Sequence, residues 1–142
     1  MNNITYTDTG TIEGYSSSLV DFGDGFLLGI GYGDSRRTMK IEVYRENEGK
    51  VESVSSYIRE DVYYSEDYKA YFIDRERGLI GLMFGQKKNL TYILLQFDGN
   101  ELVELLSEDF GTEGYYESAR ATLNDGYFYI FSYDKFRVIK LY

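Results

Sequence analysis

The sequence predicts an all-β protein built from three copies of one antiparallel unit, and three observations support this prediction. A glycine followed by an apolar stretch recurs at Gly25, Gly78 and Gly126, in steps of 53 and 48 residues. The chain of 142 residues contains 16 Tyr and 9 Phe, and aromatic side chains favour strands. Asp-Gly turns separate several apolar stretches, as they do in β-hairpins. A period near fifty residues is typical of one supersecondary unit repeated along a chain.

The elements of the first unit follow from side-chain alternation and from the turns between the alternating segments. Residues 3–13 alternate weakly and predict an edge strand, and residues 14–17 are predicted to form a linker. A turn at Asp24-Gly25 then leads into the apolar core strand. The strands predicted for this unit are residues 18–22, 26–32, 39–44 and 50–58.

The second and third units repeat the same order of turns and strands. An acidic, aromatic connection over residues 59–69 precedes the second unit, and Asp98-Gly99 supplies one of its turns. The turn at residues 124–126 occupies the corresponding position in the third unit. The predicted strands are residues 70–73, 78–84, 90–97 and 101–110 in the second unit and 119–123, 126–132 and 137–142 in the third.

Two of these segments also fit a helix. Leu102, Leu105 and Leu106 follow Asn100 with helical spacing and a candidate N-cap. The apolar positions of residues 51–58 fit a helix about as well. Because the repeat requires a fourth strand at both places, strands are predicted for both segments.

The predicted unit is a four-stranded antiparallel meander, which is the blade of a β-propeller. The predicted blades span about residues 14–58, 69–110 and 119–142. The third has three strands, and the segment 3–13 has about the right length to complete it. The chain is therefore interpreted as a single, partial β-propeller domain over residues 1–142.

Two stretches, LGIGY at 28–32 and KAYFID at 69–74, are fairly specific, and three others, GYSSSL at 14–19, KIEV at 40–43 and GLI at 78–80, follow the generic blade pattern; Leu27 precedes the first of the specific stretches. They resemble the C-terminal β-propeller domain of secreted bacterial and archaeal proteins, and the resemblance covers most of the chain from Gly14 onward. It implies a propeller fold and an extracellular or cell-envelope location, and it supplies no catalytic residues. The sequence does not begin with the pattern of a signal peptide.

Composition disfavours several kinds of chemistry. The absence of Cys excludes disulfides, thiolate catalysis and zinc–sulfur sites, and the absence of His removes the usual general base. A net charge of −9 disfavours a nucleic-acid partner, because that affinity rests on cationic contacts to phosphates. No apolar stretch approaches the length of a membrane span. No cofactor and no metal are predicted.

Three short motifs permit alternative readings. The glycines of residues 29–33 lie within a predicted strand rather than at the start of a helix, so they indicate close sheet packing instead of nucleotide binding. Acidic turns at residues 21–25 and 98–101 contain Ca²⁺-type ligands, although ordinary turn chemistry explains them. The pairs Glu60-Asp61 and Glu66-Asp67 leave open a carboxylate-based glycoside hydrolase or polysaccharide lyase.

One group of residues predicts a contact face. In an antiparallel meander, the links between units and the loops between second and third strands lie at the same end. The links are rich in tyrosine and the loops carry basic residues, a combination suited to binding. We therefore predict a non-catalytic module that binds a protein or a glycan. The predicted face comprises Tyr15, Tyr63, Tyr64, Tyr68, Tyr115, Tyr116, Arg36, Arg37, Lys87 and Lys88.

An open row of three blades also predicts association. Each end of such a row exposes an apolar sheet face, and exposed apolar faces promote assembly. Two copies arranged head to tail, with each segment 3–13 completing the partner's last blade, would close a six-bladed ring. A structural fragment of a larger propeller is the alternative.

Overall fold

The computed structural model describes residues 15–33, 35 and 37–142, and over these residues the protein is all-β, as predicted. Twelve strands form three antiparallel sheets. Among the described residues, the helical elements are two short 3-10 turns, Tyr68–Ala70 and Tyr116–Ser118. No helix in this part of the chain is long and apolar enough to cross a membrane.

The first sheet is a four-stranded meander whose strands pair in sequence order. The predicted linker at residues 14–17 is wrong over residues 15–17, because Tyr15 and Ser16 pair with Tyr32 and Gly31 and extend the first strand. The predicted strand 3–13 lies outside the described residues. The four strands are β1 (Tyr15–Gly23), β2 (Phe26–Tyr32), β3 (Met39–Asn47) and β4 (Lys50–Arg59).

The second sheet begins with a split strand. Two short segments, β5 (Tyr63–Tyr64) and β6 (Phe72–Asp74), pair with the same edge of β7 (Leu79–Gln86). Between them the Asp67 side chain accepts a hydrogen bond from the Lys69 N–H and starts a 3-10 turn. That turn includes Ala70, so the strand predicted over residues 70–73 begins only at Phe72. The sheet continues with β8 (Asn89–Phe97) and β9 (Leu102–Gly111).

The third sheet has three strands in sequence order. They are β10 (Arg120–Asn124), β11 (Tyr127–Ser132) and β12 (Lys135–Lys140). Tyr133 adopts a positive φ of 59° in a tight turn, so that Ser132 pairs with Lys135. The last strand therefore starts two residues earlier than predicted.

The two segments with helical spacing are strands, as predicted, and bulges explain their spacing. In β9, Leu106 pairs with Leu94 and Glu104 with Leu95, which leaves Leu105 as an extra residue. A bulge reverses which face the following side chains occupy. Leu102 therefore packs on one side of the sheet and Leu106 on the other. In β4, Val54 is the extra residue in the same way.

The second sheet packs against the other two sheets, one on each face, and this arrangement forms two apolar clusters. Strands buried on both faces read as nearly continuous apolar stretches, and β7 and β8 have this character. Between the first and second sheets lie Leu28, Ile30, Ile41, Val43, Ile80, Leu82, Phe84, Ile93 and their neighbours. Between the second and third sheets lie Leu79, Met83, Tyr92, Leu94, Phe110, Phe128, Ile130 and their neighbours.

The three glycines that mark the sequence repeat occupy the same structural position. Gly25, Gly78 and Gly126 all have a positive φ, between 69° and 82°. Each carbonyl accepts a hydrogen bond from a backbone N–H near the end of the third strand of its own sheet, at 2.8–2.9 Å. The described residues form separate sheets and no closed ring.

Candidate functional site

A cleft with a volume of about 720 Å³ lies at the end of the sheets where the contact face is predicted. Four connections form its rim: the β2–β3 loop, the link from β4 to β5, the β7–β8 turn and the segment that follows β9. This gathering follows from the meander, because these connections all lie at one end. The cleft is lined by Arg37, Asp61, Tyr63, Gly85, Lys87, Lys88, Leu90, Thr112, Gly114 and Tyr116.

Tyr63 and Arg37 form one wall of the cleft. Tyr63 pairs with Gly85 at the edge of β7 and its side chain is 50% exposed. The Arg37 guanidinium carbon lies 5.4 Å from the centre of the Tyr63 ring, within the range of a cation–π contact. The Val62 N–H donates to the Arg37 carbonyl at 2.9 Å. The backbone of the β2–β3 loop is therefore fixed against the strand that carries Tyr63.

Lys87 and Lys88 line the cleft from the tight turn between β7 and β8. Gln86 pairs with Asn89, so the two lysines are the central residues of a two-residue hairpin. Both have a positive φ, 50° and 72°, as in a type I′ turn, which favours Asn-Gly. Non-glycine residues in this conformation cost on the order of 1 kcal/mol each. The turn therefore holds two exposed cations in a backbone conformation that suits neither of them.

Tyr116 forms the floor at the start of a 3-10 turn, where it is partly buried. A Cβ added at Gly85 would lie 3.6 Å from the Tyr116 Cδ1 atom, an ordinary van der Waals contact, so the ring lies against β7 at this residue. Burial raises the pKa of the Tyr116 phenol, and the nearby Glu117 and Tyr63 raise it further. The hydroxyl therefore stays protonated at neutral pH, where it can donate a hydrogen bond.

The charges around the cleft are predominantly positive, although the whole chain has a net charge of −9. Among the described residues, no ion pair joins Arg37, Lys87 or Lys88 to a carboxylate. Asp61 is the one acidic residue among the described residues that line the cleft. Three cations thus converge without carboxylate partners in the described structure.

The structure brings five of the ten predicted face residues into this cleft, and three others lie outside its lining. Tyr64 is buried in the core, with its ring 5.6 Å from that of Tyr32, because neighbouring residues of a strand point to opposite faces. Tyr64 is therefore a core residue, and not a residue of the contact face as predicted. Tyr68 and Tyr115 are exposed beyond the cleft lining. Arg36 and the side chain of Tyr15 lie outside what the structure describes.

Five residues that line the cleft were not predicted to belong to the contact face, although the positions of three of them in the sequence indicate it. Asp61, Thr112 and Gly114 lie in links between units, so the rule that selected the tyrosines applies to them as well. Gly85 and Leu90 lie inside strands, as a pair between β7 and β8. Their position at the cleft depends on how far each strand extends, which the sequence pattern does not specify.

The other motifs have structural roles in the described residues. The Asp98 carboxylate accepts hydrogen bonds from the N–H groups of Asn100 and Glu101, at 2.8 and 2.9 Å, and these bonds lower its pKa. The second sheet packs on the face of β2 that carries Leu28 and Ile30. The prediction that a neighbouring sheet packs on the opposite face, which carries the glycines of residues 29–33, is therefore wrong for the second sheet.

Comparison of the chain with models of protein families, with curated proteins and with solved structures finds no match. The resemblance to the β-propeller family therefore stays a prediction.

Proposed function

We propose that the chain is a non-catalytic binding module of a secreted or cell-envelope β-propeller protein, and that the cleft is its contact surface. One observation carries the proposal. Two tyrosines and three cations, which have no carboxylate partner among the described residues, converge on one concave surface of an otherwise acidic chain. Aromatic faces and convergent polar groups are typical of ligand sites, and the cleft volume is in their usual range.

The assignment of the sheets as propeller blades rests on their repetition. Each sheet is an antiparallel meander, and in all three the carbonyl of the repeat glycine accepts the same backbone hydrogen bond. The middle sheet packs on a neighbour at both faces, as a blade inside a propeller does.

The non-catalytic reading is favoured over a glycosidase because glycoside hydrolysis needs two carboxyl groups across the substrate. Asp61 alone supplies a carboxylate among the described lining residues. The raised pKa of Tyr116 also disfavours a role for its phenolate as the base of a lyase. The alternative of a structural fragment predicts no specific ligand.

Glycan and peptide arrays probed with the whole chain test this proposal. We expect a retained ligand class whose binding is lost in Tyr63→Ala and kept in Tyr68→Ala, an exposed tyrosine that lies outside the cleft lining. Circular dichroism checks that both variants keep the strand content. Arrays without any retained ligand, or binding that both variants keep equally, would refute the proposal.

Assembly into a homodimer belongs to the same proposal, with a second copy as the occupant of an exposed apolar face. The outward face of the third sheet carries Tyr127, Phe131, Phe136 and Val138, each at least 40% exposed. β12 is the edge strand of that sheet, and a groove of about 640 Å³ runs between it and β9. An aromatic sheet face beside a free strand edge favours association with another copy in a six-bladed ring.

A further inference from the structure

We infer that the ligand of the cleft is an acidic oligosaccharide, a chain of uronate sugars. In this arrangement the sugar carboxylates meet Arg37, Lys87 and Lys88, and a sugar ring stacks on Tyr63. The inference rests on the proposed function, since it names the ligand class of the same cleft.

The charge of the ligand follows from the cations of the cleft. Lys87 and Lys88 occupy adjacent turn positions, and both exposed residues line the cleft. A guanidinium above an aromatic ring keeps its N–H donors at the edge, where they can meet a carboxylate. No described carboxylate satisfies these three groups. An anionic ligand would be their partner.

The saccharide nature of the ligand follows from what the cleft offers besides charge. At Gly85, β7 is paired on both edges, with Tyr63 on one side and Leu90 on the other. An extended peptide therefore finds no free strand edge at this point, which is the usual way in which a sheet binds a peptide backbone. A folded protein needs a surface of about 800 Å² rather than a cleft. A half-exposed tyrosine ring flanked by cations suits a flat, carboxylated sugar ring.

The test is calorimetric titration of the whole chain with three probes: trigalacturonate, its fully methyl-esterified form and a hexaglutamate peptide. The ester retains the sugar rings and removes the charge, so it isolates the carboxylates. We expect trigalacturonate to bind about tenfold or more tightly than the ester, with affinity that falls as salt is added.

Two variants test the assigned residues. Lys87→Asn/Lys88→Gly replaces both cations with the residues that the turn favours, so the fold is retained while trigalacturonate affinity falls about tenfold. Lys50→Gln removes an exposed lysine at a hairpin of the opposite end and should leave the affinity unchanged.

Each outcome decides one of the two proposals. Equal binding of acid and ester, abolished by Tyr63→Ala, would overturn the acidic-ligand inference and leave the binding module standing. A preference for hexaglutamate would reassign the cleft to acidic peptides and overturn the saccharide inference. Absence of binding to all three probes would overturn the inference as well, while the array screen decides the proposed function separately. Shortening of trigalacturonate during the titration would refute the non-catalytic assignment.

Discussion

The hydroxyl group of Tyr92 lies directly over the backbone of Gly81, so that a Cβ added at Gly81 would meet the hydroxyl oxygen at 2.6 Å. The two residues lie on neighbouring strands and on the same face of the second sheet. Tyr92 is fully buried, and its hydroxyl has no hydrogen-bond partner among the described residues. A glycine and a large phenol therefore act as a size-matched pair in the core.

Gly81→Ala is expected to destabilise the protein by about 1–3 kcal/mol, because the added methyl group overpacks a buried site. Chemical denaturation measures the change in the free energy of unfolding. The double variant Gly81→Ala/Tyr92→Phe should recover part of the loss, since it removes the nearest atom while the ring carbons stay about 3 Å away. A single variant as stable as the wild type would contradict the close contact.

Tyr92→Phe by itself is expected to be neutral or stabilising by up to about 1 kcal/mol, because a buried hydroxyl without a partner is costly to desolvate. Burial also raises the pKa of Tyr92. A raised pKa in the folded state contributes stability below about pH 10 that is lost as the pH rises further. Tyr92→Phe should therefore lose less stability above pH 10 than the wild type does.

The exposed Tyr127→Phe is the matched control for the alkaline measurement, since its hydroxyl is not buried in the core. The unfolding free energy of Tyr127→Phe should fall with rising pH as much as that of the wild type does. A loss of more than 1 kcal/mol in Tyr92→Phe at neutral pH would show that the hydroxyl has a stabilising partner.

Two glycines of the repeat, Gly78 and Gly126, differ from other turn glycines because an added Cβ at either position would meet a backbone carbonyl oxygen closely. At Gly78, with φ of +69°, a Cβ would lie 2.5 Å from the Phe97 carbonyl oxygen. At Gly49, with φ of +79°, no atom lies within 4 Å of the added Cβ. Gly49→Ala should therefore cost only the conformational strain of about 1–2 kcal/mol.

Gly78→Ala should cost clearly more than Gly49→Ala, because backbone atoms cannot move aside as a flexible side chain can. The difference between the two free energies of unfolding, measured in the same denaturant, isolates the close approach of the two strands. If both variants lose the same free energy of unfolding, the hydrogen bond from the Phe97 N–H to the Gly78 carbonyl can relax without penalty.

A buried polar network lies on the outer face of the first sheet. The Glu42 carboxylate pairs with the Lys40 ammonium at 2.9 Å and accepts hydrogen bonds from the hydroxyls of Tyr44 and Ser53. Burial acts to raise the pKa of Glu42, but Lys40, Ser53 and Tyr44 together lower it below its ordinary value. The folded state therefore favours the ionised carboxylate.

Glu42→Gln is expected to lower stability at pH 7 by about 1–3 kcal/mol, since it removes a charged acceptor from a buried network. A lowered pKa contributes stability that is present above the unfolded value and is lost as the pH falls below about 4. The difference in unfolding free energy between wild type and variant should therefore become smaller in acid. Asp98, which also has a lowered pKa, is present in both proteins and cancels in the comparison. A gap that stays constant from pH 7 to pH 3 would contradict the network.

The fold was largely predictable because its main signals are local. Turn glycines such as Gly78 and Gly126 allow the positive φ that their turns require, and alternation marks most strands without knowledge of their neighbours. The helical spacing around Leu105 was misleading because a bulge, which arises from pairing with β8, shifts the alternation. Such a shift is a property of two strands together and is not visible in either strand alone.

The candidate site was predictable only in part, for the same reason. Connection rules place Tyr63, Tyr116 and Lys87 at one end of the sheets, and the structure brings these residues together. The choice between Tyr63 and Tyr64 depends on which side of a two-residue strand faces the core. That strand is defined by its pairing with the edge of β7, which is a tertiary effect.

The aromatic face of the third sheet gives the final prediction, which concerns the proposed homodimer. Phe131 and Phe136 are 52% and 48% exposed, and their ring centres lie 4.6 Å apart. Two neighbouring phenylalanines on an open face would be central contacts with a second copy.

Phe131→Thr/Phe136→Thr retains strand-forming residues and removes the apolar rings, so it should leave the unfolding free energy of one chain nearly unchanged. The dissociation constant of the dimer, measured by light scattering over a dilution series, should rise at least about tenfold. Val103→Thr, at an exposed position of β9 in the middle sheet, controls for the loss of apolar surface elsewhere. A wild-type chain that is monomeric at all concentrations would refute the dimer, and a double variant that dimerises as tightly as the wild type would place the interface on another face.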